Sequence, residues 1–172
     1  SYRNSLKYFN EIFVPLEKSE NVVYKCATAS FIARNYIALK DYKRAAYYTS
    51  IAVEGFKNAN NPPYLSLSLL NRARISFANG DYINAKKDID TCKIIMKDFK
   101  DSDDYLNIVD TEIDFFKATN QYKEALDDFQ IRDSLQKVLN DKTNLNNINE
   151  VETKYQTQKK EQQIKLLSTQ NE

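Results

Sequence analysis

Apolar residues recur at three- and four-residue spacing in long runs, and short polar segments interrupt them. The runs predict helices over 1–12, 20–39, 42–58, 63–79, 82–98, 101–119 and 122–139, with an eighth from about 141 to 170. The interruptions "LKDY", "NGDY" and "TNQY" follow one another at intervals of forty residues. Gly80 and Asn120 suit the left-handed residue that closes a helix; Lys40 must adopt it at a cost or use another turn.

Superposing the chain on itself with a forty-residue shift aligns three identical columns. They are Ala38, Ala78 and Ala118; Tyr42, Tyr82 and Tyr122; and Ala45, Ala85 and Ala125. Asp41, Asp81 and Gln121 form a fourth column of polar residues able to start a helix. Self-similarity at a fixed period marks a solenoid of stacked helix pairs. The tyrosine packs across the turn as the second helix begins, and the alanine after it lets the two helices approach closely.

These columns resemble the tetratricopeptide repeat (TPR). That motif places a small residue at position 8, an aromatic at 11, Tyr at 17, Ala at 20, an aromatic at 24 and Ala at 27. The first unit supplies Ala33, Tyr36, Tyr42, Ala45, Thr49 and Ala52, so the aromatic at position 24 is missing. The second supplies Ala73, Ser76, Tyr82, Ala85, Ile89 and Cys92, and the third Ile113, Phe116, Tyr122, Ala125, Phe129 and Arg132. The period of 40 exceeds the usual 34 residues, through the links "KNANNPPY" and "KDFKDSDDY". Pro62 and Pro63 stop one helix and start the next. The resemblance implies an all-α fold, a right-handed α-solenoid of TPR-like helical hairpins ending in a long C-terminal helix. It divides the chain into an array over 1–140 (partial repeat 1–18, repeats about 20–58, 63–98 and 101–139) and a capping or coiled-coil connector helix over 141–172. The chain opens at Ser1 inside a repeat, as a piece of a longer protein with further units upstream would.

After Asn140 no breaker occurs, and Leu145, Ile148, Val151 and Tyr155 form one apolar stripe. The stripe turns polar at Gln158 and Gln162 and resumes at Leu166. The first half of this segment is expected to cap the last repeat, and the second half to need a partner, as in a homodimer through 141–172. "VETKYQTQKKEQQIKLL" is similar to the segment that joins periplasmic TPR arrays to a membrane anchor in bacterial sensor-regulators. That resemblance implies a sensor domain of a two-component or LuxR-type regulator, held at the inner membrane through an anchor outside this chain. A soluble cytoplasmic adaptor that dimerises through the same helix is the alternative.

Composition narrows the chemistry. Net charge is +1, which gives no polycation argument for direct nucleic acid contact. Histidine is absent, and with it the commonest general base and zinc ligand. No nucleotide, hydrolase or metalloprotease motif occurs, so no catalytic residue, cofactor or metal site is expected and the chain is read as non-enzymatic. Cys26 and Cys92 read as small core residues, with a disulfide between them the other option. No apolar run of 18 residues exists.

In a TPR array, positions 2, 5, 9 and 12 of each unit line the concave groove. The resemblance therefore points to Ala27, Ser30, Arg34 and Ile37; Leu67, Leu70, Arg74 and Phe77; and Asn107, Asp110, Asp114 and Lys117. From these, Arg34, Arg74, Ser30, Leu70, Phe77, Asp110, Asp114 and Lys117 are the expected binding residues for a protein or peptide ligand. Arg34 and Arg74 lie one period apart as a basic ladder suited to a carboxylate or a peptide backbone. Pairing of that ladder with Asp110 and Asp114, or with a neighbouring Glu, inside the array is the competing expectation. The Lys and Asn pattern of the chaperone-tail clamp is not reproduced.

Overall fold

The computed structural model describes residues 2–17 and 21–170. Seven α-helices account for almost all of them: α1 (Tyr2–Glu17), α2 (Val22–Ala38), α3 (Tyr42–Asn58), α4 (Pro62–Ala78), α5 (Tyr82–Ile95), α6 (Asp103–Ala118) and α7 (Tyr122–Gln170). Each of α1 to α5 packs on the helix that follows it, and α2, α4 and α6 also touch in series. No strand occurs among the described residues.

The turns explain the spacing. Lys40, Asn60, Gly80 and Asn120 all have positive φ, at 60°, 47°, 79° and 60°. At each, the next residue's N–H reaches back five residues to a helix carbonyl: Asp41 to Tyr36, Asn61 to Phe56, Asp81 to Ser76, and Gln121 to Phe116, at 2.8–3.0 Å. This is the Schellman closure, which satisfies carbonyls that a helix end would otherwise orphan. Lys40 thus takes the left-handed form despite its Cβ. The underlying interval is twenty residues, one helix plus one turn. Helix caps follow it: Asn21, Asp41, Asn61 and Asp81 each accept the backbone N–H three residues on. Gln121 does not cap; its amide donates to the Thr119 hydroxyl at 2.8 Å. The α5–α6 link breaks the rhythm by one residue, and Ser102 caps α6.

The columns separate by role. Ala45, Ala85 and Ala125 are buried at 0%, 0% and 3% exposure, as close helix approach requires. Ala38, Ala78 and Ala118 are exposed and are simply the last residues of their helices. The tyrosines are graded. Tyr42 packs on the cluster holding Tyr36 and Ile75, Tyr82 lies 6.1 Å from the Phe115 ring, and Tyr122 is 65% exposed. Ile75 and Phe115 belong to the helix that follows each pair, and among the described residues no further helix comes after the one that holds Tyr122.

Two expectations need correction. The first helix runs on to Glu17 through Pro15 rather than ending at 12. Pro15 lies in the last turn, where the helix gives up one i→i−4 bond and ends two residues later. The expected break at Asn140 is also absent: α7 is a single helix, because nothing between 122 and 170 forbids helical geometry. The chain forms two compact units, Ser1–Arg132 and Asp133–Glu172. In the second, Leu145, Ile148, Val151 and Tyr155 are exposed. Leu166 has its side chain outside the described residues. No described helix is long and apolar enough to cross a membrane.

Candidate functional site

The faces of α2, α4 and α6 that follow one another carry a groove. Two polar links hold its floor. Asn71 of α4 donates from Nδ2 to the Ser30 carbonyl at 3.2 Å and to the Ser30 hydroxyl at 3.3 Å. Arg74, one turn on, donates from Nε and Nη2 to the Thr111 hydroxyl of α6 at 3.2 and 3.0 Å. Thr111 passes its own proton to the Asn107 carbonyl at 2.7 Å. Each link joins position 6 of one unit to a groove position of its neighbour, which sets the spacing of the three helices.

Above this floor lies a cavity of about 390 Å³ bounded by Ser30, Phe31, Arg34, Pro63, Tyr64, Leu67 and Asp104. A smaller recess of about 30 Å³ adjoins it and is bounded by Arg34, Leu67, Leu70, Arg74, Asp104 and Asn107. The two cavities share Arg34, Pro63, Leu67, Asn71 and Asp104.

The charges are arranged unusually. Arg34 is exposed and its guanidinium stands 5.3 Å from the centre of the Phe31 ring. Arg74 is partly buried; burial pushes its pKa below the ordinary arginine value, and the charge of Arg34 adds to that shift. A guanidinium stays protonated regardless, so this is a desolvated cation facing a like charge. The acids expected to neutralise it are engaged elsewhere. Asp110 accepts from Arg132 Nε at 2.6 Å, and Asp114 lies 3.9 Å from Lys117 Nζ. Arg74 bonds a hydroxyl and Arg34 a ring rather than an acid, while the charges of Asp114 and Asp110, the competing expectation, still favour the protonated Arg74.

Of the expected groove residues, Ser30, Leu70, Arg34 and Arg74 come together, with Ala27, Leu67 and Asn107 beside them. Ile37, Phe77, Asp110, Asp114 and Lys117 line neither cavity. Phe77 turns toward Tyr82 of its own pair, at 5.8 Å, and Phe115 of the next helix, at 6.2 Å. Sequence reasoning missed Phe31, Tyr64, Asn71 and Asp104. The forty-residue count holds a trace of them: Tyr64 and Asp104 share one register position, and Phe31, Asn71 and Thr111 another.

A second polar cluster lies where α5, α6 and the start of α7 meet. Glu112, with its side chain 2% exposed, receives Lys93 and, at 3.3 Å, Lys86. Asp128 is buried nearby with its Oδ2 atom unbonded. Its pKa is pushed up to about 6, first by burial and then by the Glu112 charge. This cluster sets two acids beside the Lys86 and Lys93 ammonium groups. Cys26 and Cys92 are free and buried, not bridged. Burial pushes the Cys92 thiol up to about 12, out of the reactive range. No group of metal-ligating side chains occurs among the described residues.

No protein-family model, curated protein or solved structure matches the chain.

Proposed function

We propose that this chain is a non-catalytic, TPR-type sensor or scaffold domain that binds a protein or peptide in the groove of α2, α4 and α6. The carrying observation is the pair Arg34 and Arg74, two guanidinium groups that border one recess and form no ion pair there among the described residues. Burial of Arg74 is costly and is offset only in part by the charges of Asp114 and Asp110, so a bound carboxylate would offset more of it. The repeated closure at residues 40, 60, 80 and 120 supports a stacked array of hairpins, a right-handed solenoid by resemblance. The helix beyond Arg132 then transmits the bound state to an output domain of a membrane-anchored bacterial regulator, with this chain on the periplasmic side.

The test is selection of peptides from a displayed random library on the full chain, followed by binding titrations. Peptides that bind the unaltered protein are expected to lose roughly tenfold or more in affinity with Arg74→Ala, since hydrogen bonds to charged groups contribute about 1.5–3 kcal/mol. Selection that yields no peptide sensitive to Arg34 or Arg74 overturns the reading.

The exposed stripe Leu145, Ile148, Val151 and Tyr155 favours a second reading, a cytoplasmic adaptor that pairs through this helix. Sedimentation of the unaltered protein against Ile148→Lys decides it. A dimer that the substitution dissolves supports pairing, and a monomer at all concentrations excludes it.

A further inference from the structure

The larger cavity is not suited to an anion alone. One wall is apolar, formed by Phe31, Pro63, Tyr64 and Leu67. Arg34 stands on its rim, but so does Asp104, which borders both the cavity and the recess beneath it. Neither side chain carries an ion pair among the described residues. Two opposite charges that share a cavity without closing on each other leave a gap for a ligand carrying both signs. A simple carboxylate would meet Asp104 repulsively, and a simple amine would meet Arg34 and Arg74.

We infer that this cavity takes a zwitterion of dipeptide size: a free α-carboxylate on Arg34, a free ammonium on Asp104, and an apolar side chain against Phe31, Tyr64 and Leu67. The volume of about 390 Å³ falls at the lower end of small-molecule sites, roughly 300–1,000 Å³, which excludes a folded partner from the cavity itself. Arg74 lines the adjoining recess, and its charge is close enough to that of Arg34 to be felt there. The aromatic wall serves the apolar side chain, and the Phe31 ring also holds the Arg34 guanidinium in place. The assignment rests on the groove reading above and narrows it to a ligand with two free ends.

The probe is leucyl-leucine in three forms, titrated calorimetrically against the whole chain: unblocked, N-acetylated and C-amidated. The unblocked form is expected to bind, and each blocked form to bind roughly tenfold or more weakly, the loss of one charge-assisted contact. Arg34→Ala weakens the unblocked and acetylated forms and leaves the amide unchanged. Asp104→Asn weakens the unblocked and amidated forms and leaves the acetylated one unchanged. Both positions are exposed, and unaltered melting curves confirm that the variants fold. Equal binding of all three forms, or indifference to both substitutions, overturns the assignment. If leucyl-leucine fails to bind while library-selected peptides bind with Arg74 dependence, the zwitterion assignment falls and the groove reading stands. If neither binds, both fall.

Discussion

Gly55 offers the sharpest test of how α2 and α3 meet. It lies inside α3, where alanine is intrinsically better than glycine by about 0.5–1 kcal/mol. A Cβ built on Gly55, however, falls 2.0 Å from Cys26 Sγ, with Cys26 Cβ at 3.4 Å and Val22 Cγ1 at 3.6 Å. The last two distances are ordinary or slightly tight, so the sulfur alone obstructs. Cys26 is 2% exposed and its thiol points to the Ile51 carbonyl at 3.6 Å. The sulfur has little room to move, and overpacking of this kind costs about 1–3 kcal/mol. Gly55→Ala should therefore destabilise the protein by about 1 kcal/mol net, against its helix propensity. In a Cys26→Ala background the obstruction is gone, and the same substitution should stabilise by about 0.5–1 kcal/mol. The sign reverses. The assay is urea unfolding of the four proteins of the cycle, followed by tyrosine emission. The chain has no tryptophan, and all its tyrosines but Tyr155 precede residue 133, so the signal reports the first unit. Independent sites add within about 0.5 kcal/mol. A coupling below that value would refute the close approach argued for these two helices.

Three further outcomes are expected. Lys40→Gly should stabilise by about 1 kcal/mol in urea unfolding, because a non-glycine residue held at φ 60° carries left-handed strain that glycine lacks. Ala85→Leu should cost about 1–3 kcal/mol in the same assay, since Ala85 is 0% exposed and larger side chains force α4 and α5 apart. Asp128 should make stability depend on pH: its folded pKa is raised to about 6, above the ordinary aspartate value of about 3.9, so the folded state holds the proton more tightly. Stability then rises as pH falls from about 7 towards 4 and is lost again as pH climbs through 6. Asp128→Asn should flatten that part of the melting profile, and an unchanged slope would place the titration elsewhere.

Much of the architecture was legible because turn chemistry and hydrophobic period agree. Asp41, Asp81 and Gly80 announce a cap and a closure in their residue types alone, and buried alanines forty apart follow from the same register. Two boundaries were misplaced for local reasons. Pro15 reads as a stop although the helix carries on two residues past it, and the change of composition at Asn140 reads as a joint although no residue there opposes a helix. The groove was half legible. Arg34 and Arg74 stand out by spacing, but whether they meet an acid, a hydroxyl or a ring depends on which position of the neighbouring helix comes abreast. Packing decides that: it sets Thr111 against Arg74, sends Asp110 to Arg132, and brings Asp104 to the cavity rim.

The even cadence of the caps, at 21, 41, 61 and 81, also limits how this chain can change in length. One residue inserted within a helix rotates everything after it by about 100° and turns buried alanines toward water. Length can vary safely only at the joints, and one joint already shows it: the step from Asp81 to Ser102 is a residue longer than the others. Residues 97–101 are accordingly the place where an inserted tag or loop should be accepted without loss of register.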